Sequence, residues 1–276
     1  MRTDIIHEKQ DLTNLSWSSI CSPLGMTGSF LKAASVEGGR KICYKLSCFD
    51  PAGGIVGHEC VNELIVDRLL TVLGIDHLHY QLIRADIEIR GRTMETYLCA
   101  SEDFRRRGED KVALDVFYEL ERQNGETPLA FCIRNGWADK IYQMLAADFL
   151  LLNRDRHGAN IEIVRSTEER TFRPAPLFDH GLSLLFSCHD EGAVRSFDVM
   201  QDKRVQCFVG SQSARENLSL IPASETPLPH PLQRSDRGRI MDGLDPVLPR
   251  LWQDKIWEMI WRRWRYYESF CNQKRR

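Results

Sequence analysis

The chain has 276 residues, which is enough to bury a substantial core in one large domain or in two lobes that share a cleft. Its 37 basic and 39 acidic residues leave a net charge of −2, which argues against a protein that coats nucleic acid without specificity. The opening residues, MRTDIIHEKQDL, lack the apolar core of a secretion signal, and no apolar run is long enough to span a bilayer. These features predict a soluble, cytoplasmic protein.

The nine cysteines are scattered singly and form no CxxC pair. Their odd number and irregular spacing argue against a disulfide framework and against a zinc knuckle. Most of them lie in apolar stretches such as KICYKLSC, where a cysteine usually serves as a small buried hydrophobic residue.

The first hundred residues predict a small lobe that is rich in β-structure. Three β-compatible runs, at 17–22, 29–35 and 41–47, are separated by turn-forming residues, and antiparallel strands are their simplest explanation. Residues 57–75 then show a helical apolar stripe that ends at Gly74, a residue type that predicts a helix C-cap. Two further β-like stretches follow, so the predicted order is β-β-β-α-β-β.

From residue 104 onward the pattern is mainly helical. Helices are predicted within 104–123 and 136–152, and a strongly amphipathic helix is predicted over 251–270. Two short β-like segments, NIEIV and APLFDHG, flank the polar turn RSTEERTFR, and residues 210–250 read as loops. The sequence therefore predicts an α+β fold of two lobes, with residues 1–103 in a β-rich N-lobe and residues 104–276 in a larger helical C-lobe. A cleft between such lobes is a common ligand site.

The string NRDRHGAN, residues 153–160, places several charges directly after the apolar run MLAADFLLL. Buried charges need either ion partners or a ligand. Asp155 and Asn160 are five residues apart, and Asp179 follows nineteen residues after Asn160 in the segment LFDHGLS. Phosphoryl transfer requires a carboxylate for the acceptor hydroxyl and oxygen ligands that hold magnesium against a triphosphate. The order and spacing of these three residues fit those requirements.

The predicted N-lobe offers partners for the same chemistry. Lys45 lies in the third predicted strand, where side-chain alternation allows it to face the cleft and its phosphates. Glu59 and Glu63 share one helical face as ion partners, and we favour Glu63 because it lies deeper in the helix. In the turn PLGMTGS, the candidate nucleotide contacts are Gly25, Gly28 and Ser29, since glycine lets backbone N–H groups approach phosphate.

Each of these features has an ordinary structural explanation when taken alone. A strand lysine is usually solvated, and Asp179 before His-Gly fits a simple turn. NRDRHGAN also fits a helix end at which Asp155 is the buried partner of Arg154 or Arg156. Their joint occurrence, in the order that a kinase requires, favours the phosphoryl-transfer interpretation.

At this point the chain resembles the HipA/CtkA-like bacterial serine/threonine protein kinases. The segments that carry the resemblance are, in chain order, GMTGSFLKA, ICYKLS, NELIVDRLLTVLGI, NRDRHGAN and LFDHGLS. The resemblance implies a two-lobed protein-kinase-like fold, ATP with Mg²⁺ as cofactors, and a protein serine or threonine as acceptor, with autophosphorylation included. It implies that Lys45 contacts the phosphates, that Glu63 holds Lys45, that Asp155 is the base, and that Asn160 and Asp179 bind the metal.

The resemblance leaves several alternatives open. DRHGAN is also similar to the catalytic loop of phosphatidylinositol kinases, so the loop alone does not fix the acceptor. A catalytically silent nucleotide-binding scaffold, a lipid kinase and an AMP transferase remain alternatives on the same fold. For autophosphorylation, Thr27 and Ser29 are the candidate acceptors.

The aromatic and basic C-terminal helix gives no strong nucleic-acid or membrane signal, because Trp257, Trp261 and Trp264 recur at the spacing of a packed helix face. The arginines between them, Arg262, Arg263 and Arg265, are expected on its solvated face.

Overall fold

The computed structural model describes residues 4–18 and 30–275. Its N-terminal region is built on a mixed five-stranded sheet with the strand order β1-β6-β7-β3-β2. Only the pair β1 and β6 is parallel, and the other pairs in this sheet are antiparallel. Strands β4 and β5 form a separate two-stranded ribbon. The strands of this region are β1 (Ile5–Asp11), β2 (Lys32–Glu37), β3 (Arg40–Lys45), β4 (Phe49–Asp50), β5 (Gly54–Ile55), β6 (Gln81–Ile89) and β7 (Arg92–Glu102).

Two of the three predicted N-terminal strands are present as the hairpin β2-β3, whose turn contains Gly38 and Gly39 at positive φ. The first predicted strand is wrong at Trp17 and Ser18, which belong to no strand, and its remaining residues lie outside the described ranges. Strand β1 was not predicted. Most of its side chains are exposed, so it carries little of the alternating apolar signal that identifies a half-buried strand.

Helix α1 (Glu59–Leu73) packs against the sheet and is buried on nearly all sides. Leu64, Ile65 and Leu69 are fully buried in it, so the helix joins the sheet to the C-terminal helices in one core. The predicted end is confirmed: Gly74 adopts φ 73°, and its N–H reaches the carbonyls of Leu70 and Thr71. A second apolar cluster covers the other face of the sheet.

The C-terminal region is mainly helical and also contains a three-stranded sheet with the order β11-β10-β8. The helices are α2 (Leu114–Glu121), α3 (Pro128–Arg134), α4 (Ala138–Leu151), α5 (Glu191–Ser196), α6 (Ala214–Asn217), α7 (Asp236–Met241) and α8 (Arg250–Lys274). The strands are β8 (Glu109–Ala113), β9 (Asp155–Arg156), β10 (Glu162–Ser166), β11 (Thr171–Pro174) and β12 (Gln206–Cys207). A β-rich N-terminal region and a helical C-terminal region together confirm the predicted α+β, two-lobed fold.

Two of the C-terminal predictions need correction. The helix predicted from residue 104 begins only at Leu114, because residues 109–113 pair with β10 as strand β8. The second strand of the predicted β-pair lies at Thr171–Pro174 and begins inside the expected polar turn. Residues 175–181, predicted as a strand, are irregular apart from a single bridge between Leu177 and His77.

Helix α8 packs on α4, which confirms the expected structural role of its aromatic stripe: Trp264 is buried, and Trp257 and Trp261 are partly buried and pack against the core. The assignment of Arg263 to the solvated face is wrong. Its guanidinium is buried and donates to the backbone carbonyls of Val199, Phe149 and Gln201. Within the described ranges, no helix is both long enough and apolar enough to cross a membrane.

Candidate functional site

Lys45, the last residue of β3, lies at the centre of a buried cluster of charges. Its Nζ is 2.9 Å from Oε1 of Glu63 and 2.5 Å from Oδ1 of Asp179. Burial by itself would lower the pKa of Lys45, but the two carboxylates hold that pKa well above its ordinary value. Lys45 therefore stays protonated and offers a fixed positive charge at the base of the cleft.

Glu63 is fully buried on α1 and links three segments of the chain. Its Oε1 accepts hydrogen bonds from Lys45 Nζ and from the Gly181 N–H at 3.0 Å, and its Oε2 accepts from the His180 N–H at 2.8 Å. The other candidate partner, Glu59, accepts instead from the backbone N–H of Cys48. Gly181 permits this close arrangement, because a Cβ there would lie only 3.2 Å from Lys45 Nζ. The structure thus pairs Lys45 with the glutamate that the sequence favoured.

Asp179 enters the cleft from the segment that follows β11. Its backbone has φ 56°, in the left-handed region, and its N–H donates to the hydroxyl of Tyr80 at 3.3 Å. Burial would raise the pKa of Asp179, but Lys45 and Lys32 hold it below its ordinary value. The carboxylate is therefore ionised, and it keeps partial access to the cleft.

Asp155 and Asn160 lie on the loop that follows α4, and they are tied to each other. The amide nitrogen of Asn160 donates to the backbone carbonyl of Asp155 at 2.7 Å, and the Asp155 N–H donates to Oδ1 of Asn153 at 3.1 Å. The Asp155 side chain lines the cleft and is 16 % exposed. Its pKa is raised, chiefly by burial, while His157, with Nε2 3.6 Å away, acts in the opposite direction.

The two arginines of this loop have partners other than Asp155. Arg156, 1 % exposed, forms two hydrogen bonds to Asp148 at 2.9 and 3.0 Å and also donates to the carbonyl of Phe178. Arg154 donates to the backbone carbonyl of Arg204. The alternative in which Asp155 is the buried ion partner of either arginine is therefore wrong. Sequence reasoning missed Asp148, although a lone carboxylate within MLAADFLLL was the available signal.

One cleft of about 760 Å³ is lined by Lys45, Asp155, Asn160 and Asp179, and its size suits a nucleotide-scale ligand. Both regions of the chain contribute to its walls, and Phe104 stacks on Phe178 with ring centroids 6.1 Å apart. The predicted nucleotide contacts Gly25, Gly28 and Ser29, and the acceptor candidate Thr27, lie outside the described residues. Phe30, directly after them, lies with its ring centroid 4.8 Å from Lys45 Nζ.

The oxygen atoms of this cleft fit a magnesium ion. Because the Asn160 amide nitrogen is engaged by Asp155, the amide oxygen Oδ1 is the atom left to coordinate a cation. Asp179 supplies an ionised carboxylate on the same cleft. Hard oxygen ligands of this kind, few in number, suit a Mg²⁺ ion that is shared with phosphate groups.

Comparison with solved structures identifies the fold. The Helicobacter pylori proinflammatory kinase CtkA matches with a TM-score of 0.64 and 15 % identity, over 96 % of this chain and 99 % of that one. The chain has a CtkA-like kinase fold. The HipA toxin–antitoxin complex of Shewanella oneidensis, with HipB and operator DNA, matches with a TM-score of 0.44 and 17 % identity over 91 % of this chain and 59 % of that one. That second similarity is too weak to support an argument. No protein-family model matches the chain, and the comparison with curated proteins gave no match.

Proposed function

We propose that the chain is a kinase that uses ATP and Mg²⁺ to phosphorylate a serine or threonine of a protein, itself included. The observation that carries the proposal is the Asp155 carboxylate, which opens into the cleft that also holds Lys45 and Asp179. Its arginine neighbours are bound elsewhere, so its charge is available for a ligand. CtkA, which has the same fold, is described as a kinase.

In this proposal each residue has a distinct task. Residues 1–103 form the lobe that covers the nucleotide, and residues 104–276 form the lobe that carries the catalytic loop. Lys45, oriented by Glu63, contacts the α- and β-phosphates, while Asn160 and Asp179 hold the metal. When bound, magnesium-ATP supplies an electrophilic γ-phosphoryl group whose negative charge the metal and Lys45 offset.

Asp155 then acts on the acceptor. Its carboxylate accepts a hydrogen bond from the substrate hydroxyl, orients it toward the γ-phosphorus, and takes its proton as the new O–P bond forms. The bond between the γ-phosphorus and the oxygen bridging to the β-phosphate breaks in the same step, and ADP leaves with that oxygen. The raised pKa of Asp155 makes the carboxylate a stronger base than a fully solvated aspartate. Lipid phosphorylation and AMP transfer are the competing outcomes of the labelling experiment.

The first prediction concerns Asp155→Asn, which keeps the shape of the side chain but removes its charge. We expect phosphoryl transfer to slow by about two to four orders of magnitude, the usual contribution of a positioned general base. The melting temperature should change little, because the buried ion pair of this loop is Asp148 with Arg156. Asp139→Asn, an exposed change in the first turn of α4, is the matched control.

The measurement is single-turnover transfer from ATP labelled at either the γ- or the α-phosphate, with protein and lipid fractions counted separately. The γ-label on protein supports a protein kinase, whereas α-label on protein indicates AMP transfer and label in lipid indicates a lipid kinase. Full activity of Asp155→Asn, or normal transfer from a variant that melts far lower, would remove Asp155 from the catalytic role. No transfer by the wild-type chain, together with intact magnesium-ATP binding, would favour the silent scaffold.

A further inference from the structure

Two histidines and an aspartate converge outside the proposed catalytic cleft, on the side of α1 near its C-terminal end. His77 Nε2 is 2.9 Å from Oδ1 of Asp67, and His79 Nδ1 is 3.0 Å from the same oxygen. Asp67 lies on α1, while the two histidines flank Leu78 in the extended segment that leads into β6. Residues at i and i+2 of an extended segment point to the same side, so the chain path itself brings both rings to the carboxylate.

Both ring nitrogens of His77 face oxygen atoms. Its Nδ1 is 2.6 Å from the carbonyl oxygen of Ile75, which accepts but cannot donate, so Nδ1 carries a proton. The other ring nitrogen, Nε2, then faces the Asp67 carboxylate at 2.9 Å, another acceptor. The Thr71 hydroxyl, 3.4 Å from both Nε2 and Oδ1, is a more distant neighbour. Nε2 and Oδ1 are therefore two potential ligand atoms that lie close enough together to share one metal ion.

We propose that Asp67, His77 and His79 form a binding site for one divalent transition-metal ion, with Zn²⁺ the preferred ion. The ligand atoms all lie within 4.8 Å of one another. Two ligands at tetrahedral positions around zinc, each about 2.1 Å from the ion, are about 3.4 Å apart. The two contacts to Asp67 are thus roughly 0.5 Å shorter than zinc requires. Rotation of the exposed His79 ring can lengthen one contact, and a small shift of the Asp67 side chain is needed to lengthen the contact to the buried His77 ring.

The surroundings of the cluster suit a metal site. The hydrogen bond from His77 Nδ1 to Ile75 fixes the ring and directs Nε2 at the ion, as outer partners of zinc-bound histidines commonly do. The Tyr80 N–H donates to Oδ2 of Asp67 at 2.6 Å, which holds the carboxylate in place and leaves Oδ1 directed at the two histidines. His79, with 74 % of its side chain exposed, gives the ion a path from solvent and leaves a position open for water.

Imidazole ligands select zinc, cobalt, nickel or copper over magnesium, which prefers oxygen atoms. The site is therefore chemically distinct from the proposed magnesium site at Asn160 and Asp179, and the inference does not depend on kinase activity. Its place in the fold also gives it a structural role. An ion here would tie α1 to residues 75–80, and in that segment Leu78 already donates to the carbonyl of Leu177, two residues before Asp179.

The test uses the untagged full chain, stripped of metal by a chelator and then dialysed. Calorimetric titration with Zn²⁺ should show one strong site, and Co²⁺ bound in its place should give visible absorption that the aqueous ion lacks. His79→Gln removes an exposed ligand without opening the core, so it should fold normally and bind Zn²⁺ at least tenfold more weakly, since even outer partners of a metal ligand contribute about 10–100-fold. His189→Gln, at an exposed histidine away from the cluster, is the matched control and should bind like the wild type.

The outcomes separate clearly. The proposal is supported if zinc binding is lost in His79→Gln but retained in His189→Gln and Asp179→Asn. Millimolar Mg²⁺ should also fail to displace the zinc. Binding that His79→Gln leaves unchanged places the ion elsewhere and overturns it. No binding by the wild-type chain shows that hydrogen bonds alone hold the cluster together, and displacement by Mg²⁺ shows an oxygen site, so either result also overturns the proposal.

Discussion

At the scale of single residues, Lys45 contributes both to the stability of the fold, through buried ion pairs, and to the proposed phosphoryl transfer, through a phosphate contact. Lys45→Met keeps the apolar stem but leaves the carboxylates of Glu63 and Asp179 without their partner. If Lys45 only contacted phosphate, this change would remove transfer and spare the fold. The buried geometry predicts a second effect: the free energy of unfolding should fall by about 3–5 kcal/mol, the cost of breaking a buried ion pair. Urea denaturation and a transfer assay on one preparation measure both quantities.

Lys41→Met is the control for that measurement, because Lys41 lies on the same strand and is exposed. We expect it to change the free energy of unfolding by less than about 0.5 kcal/mol. A Lys45→Met variant as stable as the wild type would contradict the buried network. Full transfer activity would move the phosphate contact to another lysine, with Lys32, 3.9 Å from Asp179, the nearest candidate.

The residues of the candidate site were readable from sequence because they depend on spacing. Asp155, Asn160 and Asp179 were found by their order, and Lys45 by its place in a strand before a helix that carries glutamates. Asp148 was not found, since its pairing with Arg156 depends on how the loop turns back over the end of α4. The cluster of Asp67, His77 and His79 was not predicted for a similar reason. Asp67 and His77 are ten positions apart in the sequence, and only the packing of α1 on the following segment brings them together.

At the scale of elements, the start of α1 should be sensitive to acid. His58 is the N-cap residue of α1, its Nε2 is buried without a partner among the described residues, and burial, aided by His189, lowers its pKa from 6.5 to about 4. The folded state therefore holds His58 neutral where the unfolded chain binds a proton. The stability that this contributes is fully present above pH 6.5 and is lost as the pH falls toward 4.

The corresponding experiment compares wild type with His58→Gln, which cannot titrate. Between pH 7 and pH 4.5 the wild type should lose about 2 kcal/mol more of its unfolding free energy than the variant. Urea denaturation at the two pH values gives the difference, and the variant corrects for all other titrating groups. Equal losses in the two proteins would show that His58 takes up its proton without cost in the folded state.

Helix α8 offers a matched pair of arginines for a test of packing. Arg263 is buried and donates to three backbone carbonyls, whereas the neighbouring Arg262 is 55 % exposed and pairs with Glu258. Arg263→Met should lower the unfolding free energy by about 3 kcal/mol or more, because buried carbonyls would lose their donors. Arg262→Met should cost under about 0.5 kcal/mol, as exposed ion pairs usually do. Similar melting curves for the two variants would contradict the observed burial.

Helices and strands were predicted correctly where burial of one face gives the sequence apolar residues at regular spacing, and incorrectly where the sequence lacks that spacing. Helix α1 and helix α8 carry apolar residues at helical spacing, and both were predicted with nearly correct ends. Strand β1 is mostly exposed, and β8 was absorbed into a helix prediction, because its strand character comes from pairing with β10, residues 162–166. Partners that lie far along the chain leave no local pattern in the sequence.

At the scale of the whole molecule, the two regions meet where segments distant in sequence exchange backbone hydrogen bonds. Leu78 donates to Leu177 at 2.8 Å, and Leu177 donates to Asp76 at 3.1 Å. Glu63 adds its contacts to the N–H groups of His180 and Gly181. The two-lobed arrangement followed from the order of β-rich and helical segments, but this junction did not, because it forms between stretches without secondary-structure signal. This junction couples the position of α1 to the position of Asp179.

This arrangement predicts how the molecule responds to nucleotide and to removal of metal. Asp155 and Asp179 both present carboxylates to the cleft beside Lys45, so we expect a triphosphate placed next to those carboxylates to bind better when a divalent cation is shared with it. Magnesium-ATP at about 100 times its dissociation constant should stabilise the fold by about 2.7 kcal/mol, and so raise the melting temperature by roughly 5 °C or more. ATP with EDTA should give a much smaller shift, and Asp179→Asn should lose most of the effect of magnesium. Differential scanning calorimetry of the two proteins under both conditions measures this, and equal shifts with and without magnesium would remove Asn160 and Asp179 from the metal site.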